Sequence, residues 1–240
     1  MKLPLLQTAF HVLFPPRCIA CGVDVDSDWG LCGACWAATP FITDPSCGMC
    51  GAQMIGPPQT DIACDACLDT SRPWTRGHAA LKYEGTARKL ALALKHGDRT
   101  EIAGPAGKWM ANAISDYVTP DHHVIPVPLH WRRTTGRKYN QSALLAVELA
   151  KHLNLACFPL ALSRTIATQA LENVTKDERF TRLKGTISAR SPDIISGKKI
   201  VLVDDVMTSG ATLSACAEAC KEAGAKEISI VVLARATKTH

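Results

Sequence analysis

The fold that the sequence predicts is an α/β domain with a mostly parallel, twisted sheet and flanking helices, preceded by a small cysteine-rich module. Two observations carry this reading. Eight of the eleven cysteines lie before residue 70, and all eight fall in C-x-x-C pairs. From about residue 76 onward, strand-like apolar runs alternate with segments of helical spacing, which is the pattern of a parallel sheet with both faces covered. At 240 residues, with 47% hydrophobic and 20% charged residues, the chain suits one ordinary α/β domain plus something smaller. The expected division is 1–75 and 76–240.

In chain order, "MKLPLLQTAFHVLFPP" reads as a short amphipathic helix and not a signal peptide, since it contains His11, lacks a small-residue cleavage site and runs straight into a cysteine pair. Nothing reaches the roughly 18 apolar residues that a membrane span requires, so a cytoplasmic protein is expected. The four pairs are Cys18 and Cys21, Cys32 and Cys35, Cys47 and Cys50, and Cys64 and Cys67. Two intervening residues let one tight turn aim both sulfurs at one point, and two such turns make a tetrahedral zinc site. Four pairs supply two all-cysteine structural Zn²⁺ sites. A disulfide framework needs an oxidising compartment, and a redox pair needs a βαβ surround that is missing here. The gaps between pairs are 10, 11 and 13 residues, so spacing alone leaves open which pairs share an ion. A segment this poor in large apolar residues needs the metal to fold. Cys157, Cys216 and Cys220 read as small apolar side chains.

Beyond the cysteines, "YEGTARKLALALKHG" has helical spacing ending at Gly97, and "EIAGPAGKWMANAISDY" is a second helix. "HHVIPVPL" is a short strand, "NQSALLAVELAKHLN" a helix and "ALSR" a short strand. "KIVLV" is a firm strand, "GATLSACAEACKEAG" a helix closed by Gly224, and "EISIVVLARA" the next strand. Lys95 and His96 read as cations capping the end of their helix. In open parallel sheets ligands bind at the carboxyl ends of the strands, which puts residues 204–212 and 128–141 where a site belongs.

After the strand 200–203 come Asp204 and Asp205, and then the loop "MTSGAT". The loop offers backbone N–H groups, the hydroxyls of Thr208, Ser209 and Thr212, and a glycine for close approach, all at a helix N-terminus. This is an anion site, most naturally for phosphate. It lacks the lysine of a Walker loop and the spacing of a dinucleotide fingerprint. The acids would repel a phosphate, so they must address vicinal hydroxyls or a bound Mg²⁺. A sugar phosphate satisfies both halves.

"VLVDDVMTSGAT" resembles the phosphoribosyl-pyrophosphate (PRPP) motif of type I phosphoribosyltransferases. With the cysteine pairs, "LFPPRCIACG", "LALALKHG" and "IPVPLHWRRTTGRKYNQSALLA", the chain resembles the competence-protein F (ComF) family along nearly its whole length. The resemblance implies a zinc ribbon joined to a phosphoribosyltransferase-like domain, in a family linked to DNA uptake in natural transformation. By position, Asp204 and Asp205 match the acidic pair, and Thr208, Ser209, Gly210, Ala211 and Thr212 match the 5′-phosphate loop. The segment Leu129 to Gln141 holds Arg132, Arg133 and Arg137, suited to pyrophosphate. The chain departs from the family in its mobile loop, "RTIATQALENVTKDERFTR". There Ile166 replaces a basic residue, Leu171 a glutamine, Val174 a leucine and Arg182 an asparagine. Such a loop closes over substrate, and the lost polar members put turnover in doubt more than binding.

Two functions stay open on this reading: phosphoribosyl transfer to an unidentified acceptor, and a non-catalytic accessory of DNA uptake, working with DNA-uptake proteins, that binds single-stranded DNA. The charge distribution bears on the second. Residues 1–75 hold three basic residues against seven aspartates, a formal −4, whereas residues 76–240 hold 24 basic and 15 acidic, a formal +9. Two tetrathiolate zinc sites would take the first segment to roughly −8. DNA affinity is therefore expected in residues 76–240 around Arg132, Arg133 and Arg137 and not in the zinc segment.

Overall fold

The computed structural model describes residues 15–26, 30–57, 62–129, 139–164, 183 and 185–237. Five parallel strands form the sheet in the order β1-β7-β6-β2-β3. They are β1 (Arg76–Lys82), β2 (His122–Pro126), β3 (Ala156–Cys157), β6 (Lys199–Met207) and β7 (Glu227–Arg235). A separate antiparallel pair joins β4 (Leu162–Arg164) to β5 (Ile187–Ala189). The helices are α1 (Gly33–Ala37), α2 (Asp65–Leu68), α3 (Gly85–His96), α4 (Ala103–Ile114), α5 (Gln141–Leu153), α6 (Pro192–Ile195) and α7 (Ala211–Glu222).

The strands read as near-continuous apolar runs because helices cover both faces. Successive side chains go to opposite sides. Val201, Val203, Val231 and Leu233 meet Leu94, Met110, Ile114, Leu145 and Leu149 of α3, α4 and α5. Ile200, Leu202, Ile230 and Val232 meet Leu213, Cys216, Ala217 and Cys220 of α7. Cys216 and Cys220 are buried apolar packing, as the sequence predicts.

The cysteine-rich module lies along the edge strand β1. Ile42 N–H donates to Ala80 O at 3.0 Å, Lys82 N–H to Pro40 O at 2.9 Å and Gly77 N–H to Gly48 O at 2.9 Å. The approach is close enough that a Cβ on Gly51 would stand 2.3 Å from Ala79 N, and one on Gly77 would stand 2.3 Å from Met49 O. An open sheet edge is thereby covered, and the apolar clusters run through both segments: Ile19 joins the first, and Cys47, Cys50, Cys67 and Trp74 join the second.

Two expectations change. The strand that the sequence ends at residue 203 continues to Met207, because β7 offers it partners: Asp204 pairs with Val232, Val206 with Ala234 and Met207 with Arg235. The acids therefore sit inside a strand and not beyond its end, and Asp205 is buried. Secondly, "RGHAALK" forms β1, the edge strand that the sequence reading passes over, because its two terminal cations, glycine and alanines carry little strand propensity. The N-terminal segment 1–14, Arg132, Arg133 and Arg137, and the loop carrying Ile166, Leu171 and Arg182 lie outside the described residues. Among those described, no helix is long and apolar enough to cross a membrane.

Candidate functional site

Strand β2 ends at Pro126, which pairs with Val203. The next residues of β6 are the acids, so they extend past their neighbour at the carboxyl end of the sheet. Helices α3 and α5 close on them from one side. Tyr139 Oη donates to Leu94 O at 2.9 Å, and Gln141 Nε2 to Lys95 O at 3.3 Å, tying the start of α5 to the end of α3. Asn140 caps α5 by accepting from Ser142 N–H at 3.1 Å. This clasp delivers two side chains to the acids. Ser142 Oγ donates to Asp204 Oδ1 at 2.8 Å, and Lys95 Nζ lies 3.7 Å from Asp205 Oδ2. Each carboxylate also accepts a backbone N–H: Asp204 from Asp205 at 2.9 Å, and Asp205 from Val206 at 2.7 Å.

One nearby lysine does not neutralise two adjacent carboxylates. Burial, reinforced by the charge of Asp205, pushes the Asp204 carboxyl up to about 7, against the pull of the Ser142 hydroxyl, the Asp205 N–H and Lys95. Such a pair accepts a hard divalent cation or a set of hydroxyl donors readily. The donor set therefore fits Mg²⁺ together with ribose hydroxyls.

Thr208 and Ser209 lead from β6 to Gly210, the residue before α7, whose φ is +81°. Leu183, Asp204 and residues 206–213 line one cavity of about 150 Å³, so an acid and the loop face the same space. A Cβ on Gly210 would stand 2.6 Å from Met207 Cε and 2.9 Å from Arg72 Nη1. Gly210→Ala is expected to destabilise the fold by about 1–3 kcal/mol, the usual cost of a strained backbone conformation, and thermal unfolding would read it. An unmoved transition would show that the loop relaxes freely around the methyl group.

The eight paired cysteines gather into two groups, Cys18, Cys21, Cys32 and Cys35, and Cys47, Cys50, Cys64 and Cys67. Pairing is therefore sequential, the question that spacing left open. Within each group the Sγ atoms all lie within 4.8 Å of one another. Zn–S bonds of about 2.3 Å in a tetrahedron separate sulfurs by about 3.8 Å; Cys21 and Cys32 are 3.7 Å apart, and Cys50 and Cys64 are 3.6 Å apart. Backbone N–H groups point at sulfur as they do toward thiolates: Cys32 N to Cys18 Sγ and Cys64 N to Cys47 Sγ, each at 3.3 Å. Burial opposes ionisation of Cys18, but N–H bonds from Cys32, Cys21 and Ala20 outweigh it and bring the thiol down to about 6. Both groups fit structural zinc.

The structure thus places Asp204 and residues 208–212 around one cavity, with Asp205 beside Asp204 in β6 and facing Lys95, and brings to them four residues that sequence reasoning missed. Lys95, read there as a helix cap, faces Asp205. Ser142 holds Asp204. Arg72 and Arg235 bond the loop 207–209 from beneath, with Nη1 of Arg72 donating to Ser209 O at 2.8 Å and Nη1 of Arg235 to Thr208 O at 2.7 Å. Lys95 stands in the quoted stretch "LALALKHG", which was the available signal. Arg72 and Arg235 carry no local sequence signal, since only the tertiary fold brings them under the loop.

Two family models match the chain. The double zinc ribbon domain matches residues 9–68 and the phosphoribosyl transferase domain matches residues 140–240. The DNA utilization protein YhgH of Escherichia coli (strain K12) is 30% identical over 214 residues, covering 86% of this chain and 91% of that protein. Competence protein F of Haemophilus influenzae is 27% identical over 227 residues, covering 92% and 97%. Among solved structures, the allosteric regulatory enzyme of purine biosynthesis aligns with 59% of this chain and 30% of that one, at 15% identity and a TM-score of 0.41. With relatives matched along nearly its whole length, and with both domains in the expected order, the chain belongs to the competence-protein F family of double zinc ribbons joined to a phosphoribosyltransferase domain.

Proposed function

We propose that residues 76–240 bind PRPP, or a related ribose phosphate, together with Mg²⁺, and transfer the phosphoribosyl group to an acceptor, with residues 1–75 as the zinc-folded module. The observation that carries this reading is the acid pair of β6 running directly into a loop at the N-terminus of α7, with Asp204 and the loop lining one cavity. Phosphate is bound by the N–H groups and hydroxyls of Thr208, Ser209, Gly210, Ala211 and Thr212, where the helix end is partially positive. Asp204 and Asp205 orient the ribose hydroxyls and hold the cation. Lys95 sets a positive charge beside Asp205, and Ser142 fixes the orientation of Asp204. Arg132, Arg133 and Arg137 are assigned to the pyrophosphate.

The reaction breaks the bond between C1 of the ribose and the pyrophosphate oxygen while positive charge develops on the sugar and the acceptor attacks. No protein nucleophile is needed, so catalysis rests on positioning and electrostatic stabilisation of the leaving group. Mg²⁺, when bound, neutralises the departing pyrophosphate. Titration calorimetry of the full chain with PRPP is expected to show binding that requires Mg²⁺, and a panel of nitrogenous acceptors would then be screened for pyrophosphate release. No PRPP binding with Mg²⁺ present would overturn the proposal.

The charge split favours a second reading, in which the domain handles single-stranded DNA without turnover. It rests on the formal +9 of residues 76–240 against −4 for residues 1–75, and on relatives named for DNA utilization and competence. Fluorescence anisotropy with a single-stranded oligonucleotide is expected to show affinity that falls steeply with salt. A triple Arg132→Gln, Arg133→Gln, Arg137→Gln variant should bind more weakly with a shallower salt slope. Equal binding by the variant would remove these arginines from the DNA contact.

A further inference from the structure

Two guanidinium groups lie beneath the phosphate loop. Arg72 is 8% exposed and Arg235 5%, and the Nε of each is buried without a hydrogen-bond partner among the described residues. Apart from a bond from Arg235 Nη1 to Ala236 O, their bonds go to loop carbonyls: Arg235 Nη1 to Met207 O at 3.1 Å and Thr208 O at 2.7 Å, and Arg72 Nη1 to Ser209 O at 2.8 Å. In a planar trans peptide the C=O and the following N–H point in opposite directions. Drawing the carbonyls of residues 207, 208 and 209 toward the arginines therefore turns the N–H groups of Thr208, Ser209 and Gly210 away from them, and these residues line the cavity. The arrangement aims donors at an anion and sets positive charge behind them.

Arg72 comes from a stretch of chain far from the loop in sequence. It follows Cys67 by five residues, and its guanidinium lies 5.5 Å from the centroid of the Trp74 ring. Trp74 Nε1 donates to Met49 O at 2.7 Å, inside the turn between Cys47 and Cys50. Trp74, Cys47, Cys50 and Cys67 share one apolar cluster. Gly210 lets the guanidinium approach, since a Cβ there would stand 2.9 Å from Arg72 Nη1. A zinc ion held by four thiolates carries a formal charge of about −2. Such a site is a natural counter-charge for an arginine that, among the described residues, makes no ion pair with a carboxylate.

We infer that Arg72 is a positioning residue that couples the second four-cysteine site to the phosphate loop, so that the integrity of that site sets how tightly the loop holds the phosphate of a sugar phosphate. The inference rests on the phosphate reading proposed above. The zinc module then has a task beyond its own folding: it braces the ligand site from behind.

The test uses ribose 5-phosphate as the probe, titrated calorimetrically into the full zinc-loaded chain well below its thermal transition. Arg72→Met removes the guanidinium, Arg72→Lys restores a donor and a charge, and Trp74→Phe keeps an aromatic ring, smaller than the indole, but deletes the bond to Met49 O. Loss of a charged hydrogen bond of this kind weakens binding by about tenfold or more. Arg72→Met is expected to show that loss with both zinc ions retained, Arg72→Lys to recover part of it, and Trp74→Phe to show a smaller loss. Partial rescue by lysine separates positioning from a merely structural contribution, which a lysine would not restore. If the unsubstituted protein fails to bind ribose 5-phosphate, the phosphate reading falls and the coupling with it. If it binds, and Arg72→Met and Trp74→Phe bind equally well, the coupling alone is overturned.

Discussion

Replacing Asp204 and Asp205 together by asparagine is expected to abolish Mg²⁺-dependent PRPP binding, and Asp204→Asn alone to raise the thermal transition of the ligand-free protein near neutral pH and above. The first effect follows from chemistry: asparagine is a poor ligand for a hard cation and offers the ribose hydroxyls a neutral acceptor. The second follows from the sheet. Because Asp204 lies within β6, burial and the Asp205 charge lift its carboxyl from 3.8 to about 7. In the unfolded chain the same group is ionised above about pH 4. Between these values the folded protein binds the extra proton, so stability falls as pH rises through this window and levels off above it. Each pH unit of such a shift corresponds to about 1.4 kcal/mol, and a chain of this size moves by about 2–4 °C per kcal/mol. Asp204→Asn should flatten that slope. Cation binding must displace the proton, so PRPP affinity in Mg²⁺ should also weaken as pH drops below about 7. Unchanged calorimetric affinity in the double variant would sink the assignment of the acids, and a pH-independent transition in the unsubstituted protein would sink the account of Asp204.

How much of this was legible in the sequence depends on how local the cause is. The long helices and the strands β2, β6 and β7 are written in apolar periodicity, and the cysteine pairs declare their metal by spacing. The loop between β6 and α7 is equally local, because a strand, a turn of small hydroxyl residues and a helix N-terminus are contiguous. What escaped depends on partners distant in the chain. "RGHAALK" becomes a strand because β7 pairs with it on one side, through Arg76 to Ser229 and onward, and the zinc module covers the other. The acids stay in β6 because β7 continues beside them. Which cysteine pairs share an ion is decided by packing and not by gap length. Lys95 reads as a helix cap until the clasp of Tyr139 and Gln141 brings its helix end to the acids. Arg72 and Asp204 lie in different segments of the chain, and no periodicity connects them.

Stripping the zinc is expected to do more than unfold the cysteine-rich module. Metal analysis should find two ions per chain, and each site is expected to contribute on the order of 10 kcal/mol of apparent binding free energy. Without them residues 15–70 have little to hold them, since among the described residues their buried hydrophobic side chains are only Cys18, Cys47, Cys50, Cys67, Ile19 and Ala52. The module is also the cover of β1. Gly77 N–H donates to Gly48 O and Lys82 N–H to Pro40 O, bonds that vanish when the module unfolds, leaving a sheet edge open. Trp74 loses its partner at Met49 O at the same time. Chelation should therefore lower the thermal transition of the sheet domain and not leave it untouched. Hydrogen exchange resolves the effect residue by residue: the amides of Gly77 and Lys82 should lose protection on chelation, while Val201 and Leu202, in a strand flanked by β7 and β2, keep theirs until the sheet opens as a whole. Protection at Gly77 and Lys82 that survives the loss of both ions would show that the module grips β1 without its metal.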